Sequence, residues 1–297
     1  FMLRLSGSNA NLKADLFGFD PNTHTVIKDM ESWHCEGIFD ASLAELIELC
    51  SVIFHKMRLS ETYRTEDEVT VNFVKSICGQ YRVTNPYHNF LHATSVMHMA
   101  YKMVKSASIY PLSQFEILAM LIAAMCHDVD HTGKDNDFEI QCQTELAITY
   151  NDLSVLENHH VATCFRISRQ SERHNIFANL ETKQYKQARK IIIDCIISTD
   201  MKNHFSMVSN IEKSGDLEKD NRETTAMNLI LHACDIGSLL SPTPMAEKWT
   251  ERVLTEFSEQ AKACYENGIS VPAHMADLTS RSKQCKLQVD FIDYIVH

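Results

Sequence analysis

Residues 115–133 read "FEILAMLIAAMCHDVDHTG". Phe115–Cys126 is the most apolar stretch of the chain, and it runs directly into two histidines and two aspartates. At 12 residues it is too short to cross a bilayer, so a buried core helix is expected here. Charged groups are not carried into a core unpaired. The polar cluster that ends this helix must therefore cap it or hold something.

Outward from this segment the same helical period recurs. Apolar residues at i, i+3, i+4 spacing fill "DASLAELIELCSVIFHKM", with Asp40 or Ser42 as N-cap. They return in "TVNFVKSICGQY", "HATSVMHMAYKMV", "QARKIIIDCIISTDM", "TAMNLILHACDI" and "AEKWTERVLTEFSEQAKACYE". The 297 residues include 8 Gly and 6 Pro, where average usage would give roughly 20 and 15. No proline occurs between Pro111 and Pro242, and no glycine between Gly133 and Gly215. Long helices follow, and Gly-rich phosphate loops are excluded over that span. With no internal repeat and no dividing linker, residues 1–297 read as one compact all-α, multi-helix domain. Residues 1–39 are expected to be a loosely ordered lead-in, "IEKSGDLEKDNRE" a solvated loop, and Trp33 and Trp249 core aromatics. "VDFIDYIVH" stops in mid-helix pattern, so the natural chain is expected to continue.

The formal charge of −11 sets the field against nucleic acid and anionic membranes. An anionic substrate would need a local positive centre. The 10 cysteines include no C-x-x-C pair, and the N-terminus lacks a secretory apolar segment. Reduced thiols in a cytoplasmic protein are the expectation, with no membrane insertion.

Ten of the 15 histidines lie between 88 and 232. His88 and His92 in "YHNFLH" stand at i, i+4, one face of a helix. His127, Asp128, Asp130 and His131 end the oily helix, and Asp235 ends another, "AMNLILHACD". Imidazole with carboxylate suits Zn²⁺; carboxylate with water suits Mg²⁺ or Mn²⁺. An H-D dipeptide or an i, i+4 histidine pair means little alone, and from residue types two readings stand: a metal site, or polar helix caps.

The blocks "YHNFLHA", "HDVDHTG", "ELAITYNDLSVLENHH", "STDMKNH", "HACDI" and "QVDFIDYIVH" resemble, in order and spacing, the signature blocks of class I cyclic nucleotide phosphodiesterases. The resemblance runs from about residue 40 to the end, and is greatest to the cAMP-hydrolysing members. It implies a single catalytic domain of the HD-type metal phosphohydrolase class. It implies His92, His127, Asp128 and Asp235 as ligands of a tight Zn²⁺, with Asp128 bridging to a second, largely hydrated Mg²⁺ or Mn²⁺. His131, Glu157, His160 and Thr199 would hold the waters. His88 would be the general acid, oriented by Glu256. Gln288 would bind the purine, Phe291 and Val253 would sandwich it, and Tyr87, Met201, Ile236 and Ser238 would line the pocket. The ligand-bearing blocks carry no Arg or Lys, so the cations themselves would bind the phosphate and supply the missing positive centre.

The implied reaction is hydrolysis of the 3′ ester of a 3′,5′-cyclic nucleotide to the 5′-monophosphate. In cAMP-selective relatives an asparagine stands three residues after the last ligand, in a D-hydrophobic-S-N-P pattern. Here "DIGSLLSP" places Ser238 there, which implies an enzyme that admits cGMP beside cAMP. The alternatives are an enzyme strict for one nucleotide, another HD-type phosphohydrolase acting on deoxynucleotides or guanosine tetraphosphate, and an inactive nucleotide-binding module.

Overall fold

The Phe115–Cys126 stretch forms the central helix of the molecule because no side of it suits water. In the computed structural model, which describes residues 25–106, 112–214 and 222–296, every residue from Leu118 to Cys126 is buried at 0% exposure. Among the described residues, ten helices of eleven residues or more make up the frame. They are α1 (Leu43–Lys56), α2 (Asp67–Cys78), α3 (Phe90–Ser106), α4 (Gln114–Cys126) and α5 (Val155–Gln170), then α6 (Thr182–Ile197), α7 (His204–Ser214), α8 (Arg222–Ile236), α9 (Thr243–Asn267) and α10 (Arg281–Phe291). No strand occurs among the described residues.

α4 is encased chiefly by α6 and α3, with α8 and α5 closing round it. A helix apolar on all sides is stable only when so covered. Its start is set by a capping box: Ser113 Oγ accepts from the Glu116 amide while the Glu116 carboxylate accepts from the Ser113 amide. α1 begins with the same device on Ser42 and Glu45, so Ser42, not Asp40, is the cap. One buried cluster runs from Ile27 to Met245, and a smaller one joins Tyr87, Trp249, Val253, Leu254 and Leu278; Phe39 and Leu91 pack against both.

Residues 1–24 of the lead-in lie outside the described residues, as do 215–221 of the "IEKSGDLEKDNRE" loop. Residues 25–39 form a short helix, Thr25–Lys28, and two 3₁₀ turns, with Ile27, Met30, Cys35 and Ile38 buried. Those apolar residues are scattered without a period, which is why they read as loose. Trp249 is a core residue at 0% exposure; Trp33 is not, at 48%, and lies beneath Lys102 Nζ at 6.0 Å. All ten cysteines are free thiols. No helix of the described residues is long and apolar enough to cross a membrane.

Candidate metal centre and its surroundings

α4 ends at His127, its C-cap, and the chain turns at once through Asp128, Asp130 (φ +61°) and Gly133 (φ +74°). His92 lies in the first turn of α3, and Asp235 one residue before the end of α8. These elements bring His92, His127, Asp128 and Asp235 to one point. His127 Nε2 lies 3.3 Å from His92 Nε2, 3.2 Å from Asp235 Oδ1 and 3.0 Å from Asp128 Oδ2. His92 Nε2 lies 3.0 Å from Asp235 Oδ1 and 3.5 Å from Asp128 Oδ2.

These distances test the fit of a cation. With metal–ligand bonds of ~2.0–2.1 Å, ligands sit ~3.3 Å apart on a tetrahedron and ~3.0 Å apart at neighbouring corners of an octahedron. Four of the five separations lie within that 3.0–3.3 Å span, and the fifth, His92 Nε2 to Asp128 Oδ2, is 0.2 Å longer at 3.5 Å. His127 Nδ1 donates to the Ala124 carbonyl at 2.8 Å, which leaves its Nε2 lone pair facing the carboxylates. Asp128 Oδ2 is buried and accepts no hydrogen bond. Lone pairs aimed at lone pairs call for a positive charge between them, and the four residues fit a metal ion.

The electrostatics agree. Burial holds His92 below its ordinary pKa, so it is neutral and ready to bind. Burial would also drive the proton off His127, but Asp128 and Asp235 outweigh it and hold that ring well above its ordinary value, so without metal a proton on Nε2 supplies the positive charge that a bound cation would replace. Burial pushes both carboxylates up, yet the imidazoles beside them keep both below the usual range.

A second group, Asp128, His131 and His160, shares Asp128 with the first. His160 Nδ1 donates to the Val129 carbonyl at 2.8 Å, so its Nε2 lone pair points inward, 3.9 Å from Asp128 Oδ1. His131 Nδ1 accepts from the Gly133 amide at 3.0 Å, which puts any proton of the neutral ring on Nε2. Glu157, in the first turn of α5, accepts from Asn136 Nδ2 at 3.0 and 3.3 Å. Burial, then the nearby Asp200 carboxylate, pushes its pKa up to about 7. Thr199 is buried just past α6, its hydroxyl donating to the Ile196 carbonyl at 2.8 Å.

His88 and Glu256 form a third group with His131. The His88 ring pairs through Nδ1 with Glu256 Oε1, and Glu256 Oε2 accepts from the amides of Tyr87 at 2.9 Å and His88 at 3.0 Å. Burial opposes a charge on the ring, but Glu256, then Asp128 and Asp235, raise its pKa to about 9. Burial likewise opposes charge on Glu256, and the His88 partner brings it down to about 2. The helical spacing read for His88 and His92 does not hold. Asn89 Oδ1 accepts from the Leu91 and His92 amides and starts α3 there, so His88 lies in the turn before the helix. The two rings still meet edge to face, 5.9 Å apart.

The residues assigned to the base are not all brought together. Gln288 is half-buried on α10, its Oε1 accepting from Thr250 Oγ1 at 3.2 Å. Both line a groove of about 1190 Å³ between α9 and α10, with Glu251, Leu254 and Gln284. Val253 belongs to the buried cluster around Trp249, whereas Phe291 is half-buried outside it. Tyr87 Oη and Ser238 Oγ share a hydrogen bond of 2.7 Å, and Ser238 is 0% exposed, so it presents no surface to a ligand. Ile236 is half-buried and Met201 is 42% exposed.

Several neighbours were not legible as site residues. Asp130 joins Arg82 Nε at 3.0 Å to His159 Nε2 at 2.8 Å, and Lys202 Nζ lies 2.7 Å from Asp200 Oδ2 and 2.6 Å from Ser154 Oγ. Two cations thus approach the centre, Lys202 from within the "STDMKNH" block, and each is already engaged by a carboxylate. Asp200 had one signal, its place next to Thr199; Arg82 and Asn136 had none.

A family model described as "3'5'-cyclic nucleotide phosphodiesterase" matches residues 87–297. The chain is 32% identical over 286 residues to rat 3',5'-cyclic-AMP phosphodiesterase 4C, covering 91% of this chain and 53% of that protein. It is 33% identical over 284 residues to 3',5'-cyclic-nucleotide phosphodiesterase regA of Dictyostelium discoideum, covering 93% and 35%. The chain thus spans about half, or less, of these relatives' lengths. Among solved structures, the phosphodiesterase domain of the RhoPDE fusion protein from the choanoflagellate Salpingoeca rosetta superposes with a TM-score of 0.85 at 29% identity, covering 90% of this chain and 85% of that one.

Proposed function

This chain belongs to the 3'5'-cyclic nucleotide phosphodiesterase family, and from that premise we propose that it hydrolyses the 3′-phosphoester of cAMP, and of cGMP as well, to the 5′-monophosphate. The observation that carries the reading is the orphaned Asp128 Oδ2 among two imidazole nitrogens and Asp235, beside a His88–Glu256 ion pair. The four ligands suit Zn²⁺, and Asp128 with His131, His160, Glu157 and Thr199 suits a hydrated Mg²⁺ or Mn²⁺. When bound, such cations neutralise the cyclic phosphate and make water acidic enough to attack it near neutral pH.

The chain's own residues do the rest. His92 presents a neutral nitrogen, and His127, whose Nδ1 hydrogen is held by the Ala124 carbonyl, would give up the proton on Nε2 to a bound cation. Attack at phosphorus must expel the 3′ oxygen as an alcohol, and His88 is the group charged to protonate it. Glu256 keeps that proton on His88 and aims the ring, since it binds both the ring and the backbone on either side of the Tyr87–His88 peptide. His131, stacked on His88 at 4.0 Å, walls the donor in.

Base binding falls to Gln288. Its partner Thr250 stands six residues before Glu256 on α9, about 9 Å along the helix axis at 1.5 Å per residue. A nucleotide can bridge that span, with phosphate at the cations and base towards α10. A threonine hydroxyl both donates and accepts, so Thr250 can hold the Gln288 amide in either orientation, and each orientation complements one purine edge. The test is kcat/KM for cAMP and for cGMP on one Mg²⁺-supplied preparation. Values within about tenfold support the dual reading. A ratio beyond about a hundredfold, ~2.7 kcal/mol of discrimination, would mean that the amide is fixed by something other than Thr250.

A further inference from the structure

Beneath the centre, one side chain ties the proton donor's turn to the metal turn. Asn85 is buried at 7% exposure, and its Nδ2 donates to the His88 carbonyl at 3.0 Å and to the His131 carbonyl at 2.8 Å. The two carbonyls lie 3 and 46 residues away in sequence. Only a primary amide directs two N–H bonds from one nitrogen at this reach; aspartate offers none and serine one.

The contact is close on its other side too. A Cβ on Gly133 would come 3.0 Å from Asn85 Oδ1, and Gly133 already sits at φ +74°, where a side chain is strained. The backbone carbonyl of Asn85 accepts from Asn89 Nδ2 at 2.8 Å, and Asn89 Oδ1 in turn caps α3 at His92. Asn85 and Asn89 therefore connect His88, the ligand His92 and the 127–133 turn through main-chain atoms, without touching a ligand side chain.

We propose that Asn85 is a positioning residue: its two N–H bonds set the placement of the His88 imidazole against the metal turn, and so align proton delivery with attack. Glu256 fixes His88 to α9; Asn85 fixes it to the segment that carries His127, Asp128 and His131. Without Asn85 the first tie remains and the second is lost. The inference rests on the reading of His88 as proton donor. A misplacement on the order of 1 Å at a catalytic group costs about a hundredfold in rate.

The test is Asn85→Ala, assayed with cAMP under full Zn²⁺ and Mg²⁺ and compared with wild type for kcat, KM, bound metal per chain and melting temperature. We expect kcat to fall about 10- to 100-fold, with KM within about threefold and metal content unchanged. Asn85→Ser, which keeps one donor, should recover part of the loss. If Asn85→Ala does not fold, Asn85→Leu is read the same way, being close in size, uncharged and without the N–H groups. An unchanged kcat per metal-loaded chain overturns the proposal, and so does a loss that tracks metal content or resides in KM alone. Wild type inactive towards both cyclic nucleotides would instead overturn the function on which it rests.

Discussion

Replacing Glu256 with glutamine removes one charge and leaves the shape, which makes Glu256→Gln the sharpest probe of the proton donor. The glutamine carbonyl can still accept from the Tyr87 and His88 amides, now served by Glu256 Oε2. What disappears is the foremost influence raising His88, whose pKa of about 9 compares with an ordinary 6.5. Burial is the largest influence on the ring and acts downward, so the variant should fall to 6.5 or below. On the proposed reading, cations bound at Asp128 and Asp235 would offset those two carboxylates and leave Glu256 as the partner that holds the proton. With about 9 for wild type and 6.5 as the upper limit for the variant, His88 is nearly all protonated in wild type at pH 7.5 and at most about one-tenth protonated in the variant, so kcat falls at least about tenfold. The deficit approaches a hundredfold near pH 8.5 and shrinks below pH 6.5. The assay is a pH profile of kcat from 5.5 to 9.5 at saturating cAMP and metal. A basic limb at the same pH in both proteins would refute the reasoning, whatever the loss of rate.

Three further outcomes follow from the same geometry. Asp235→Ala should abolish hydrolysis and strip the tight metal, read by elemental analysis; near-normal turnover would remove Asp235 from the ligand set. Gln288→Ala should raise KM for both nucleotides while metal content stays at the wild-type level, and metal loss would make the residue structural. Glu157, raised to about 7 from 4.5, costs metal-free protein stability as pH rises from 4.5 through 7, because the folded state resists the ionisation that the unfolded chain accepts. Glu157→Gln should therefore stabilise metal-stripped protein at pH 8, by up to ~3 kcal/mol, and leave it little changed at pH 4.5; equal melting shifts at both pH values would contradict this.

The frame was legible because it depends on a period. Phe115–Cys126 could be nothing but a buried helix, whereas the start of α1 stayed open between Asp40 and Ser42 until the structure showed the Ser42–Glu45 capping box. The residues that could hold a metal were legible as residue types, but His92, His127 and Asp235 meet only because three helix ends converge, which no spacing encodes. Where side chains bind main chain, the sequence was mute. Asn89 starts α3 after His88 by accepting from main-chain amides, and Asn85 joins two turns through carbonyls that any residue would possess. Ser238 looked like a pocket residue by position, but the Tyr87 hydroxyl draws it inside. Gln288 stands on α10, a helix with no buried residue, so only the resemblance singled it out.

The central claim is that this centre, loaded with metal, opens the 3′ ester of a cyclic nucleotide. The most direct measurement strips the protein with a chelator, confirms the loss of metal, and follows the products from cAMP by chromatography before and after Zn²⁺ and Mg²⁺ are restored. The account predicts no hydrolysis by the stripped protein and 5′-AMP alone once metal returns. Undiminished hydrolysis without metal, 3′-AMP as product, or no hydrolysis by the reloaded protein would contradict it.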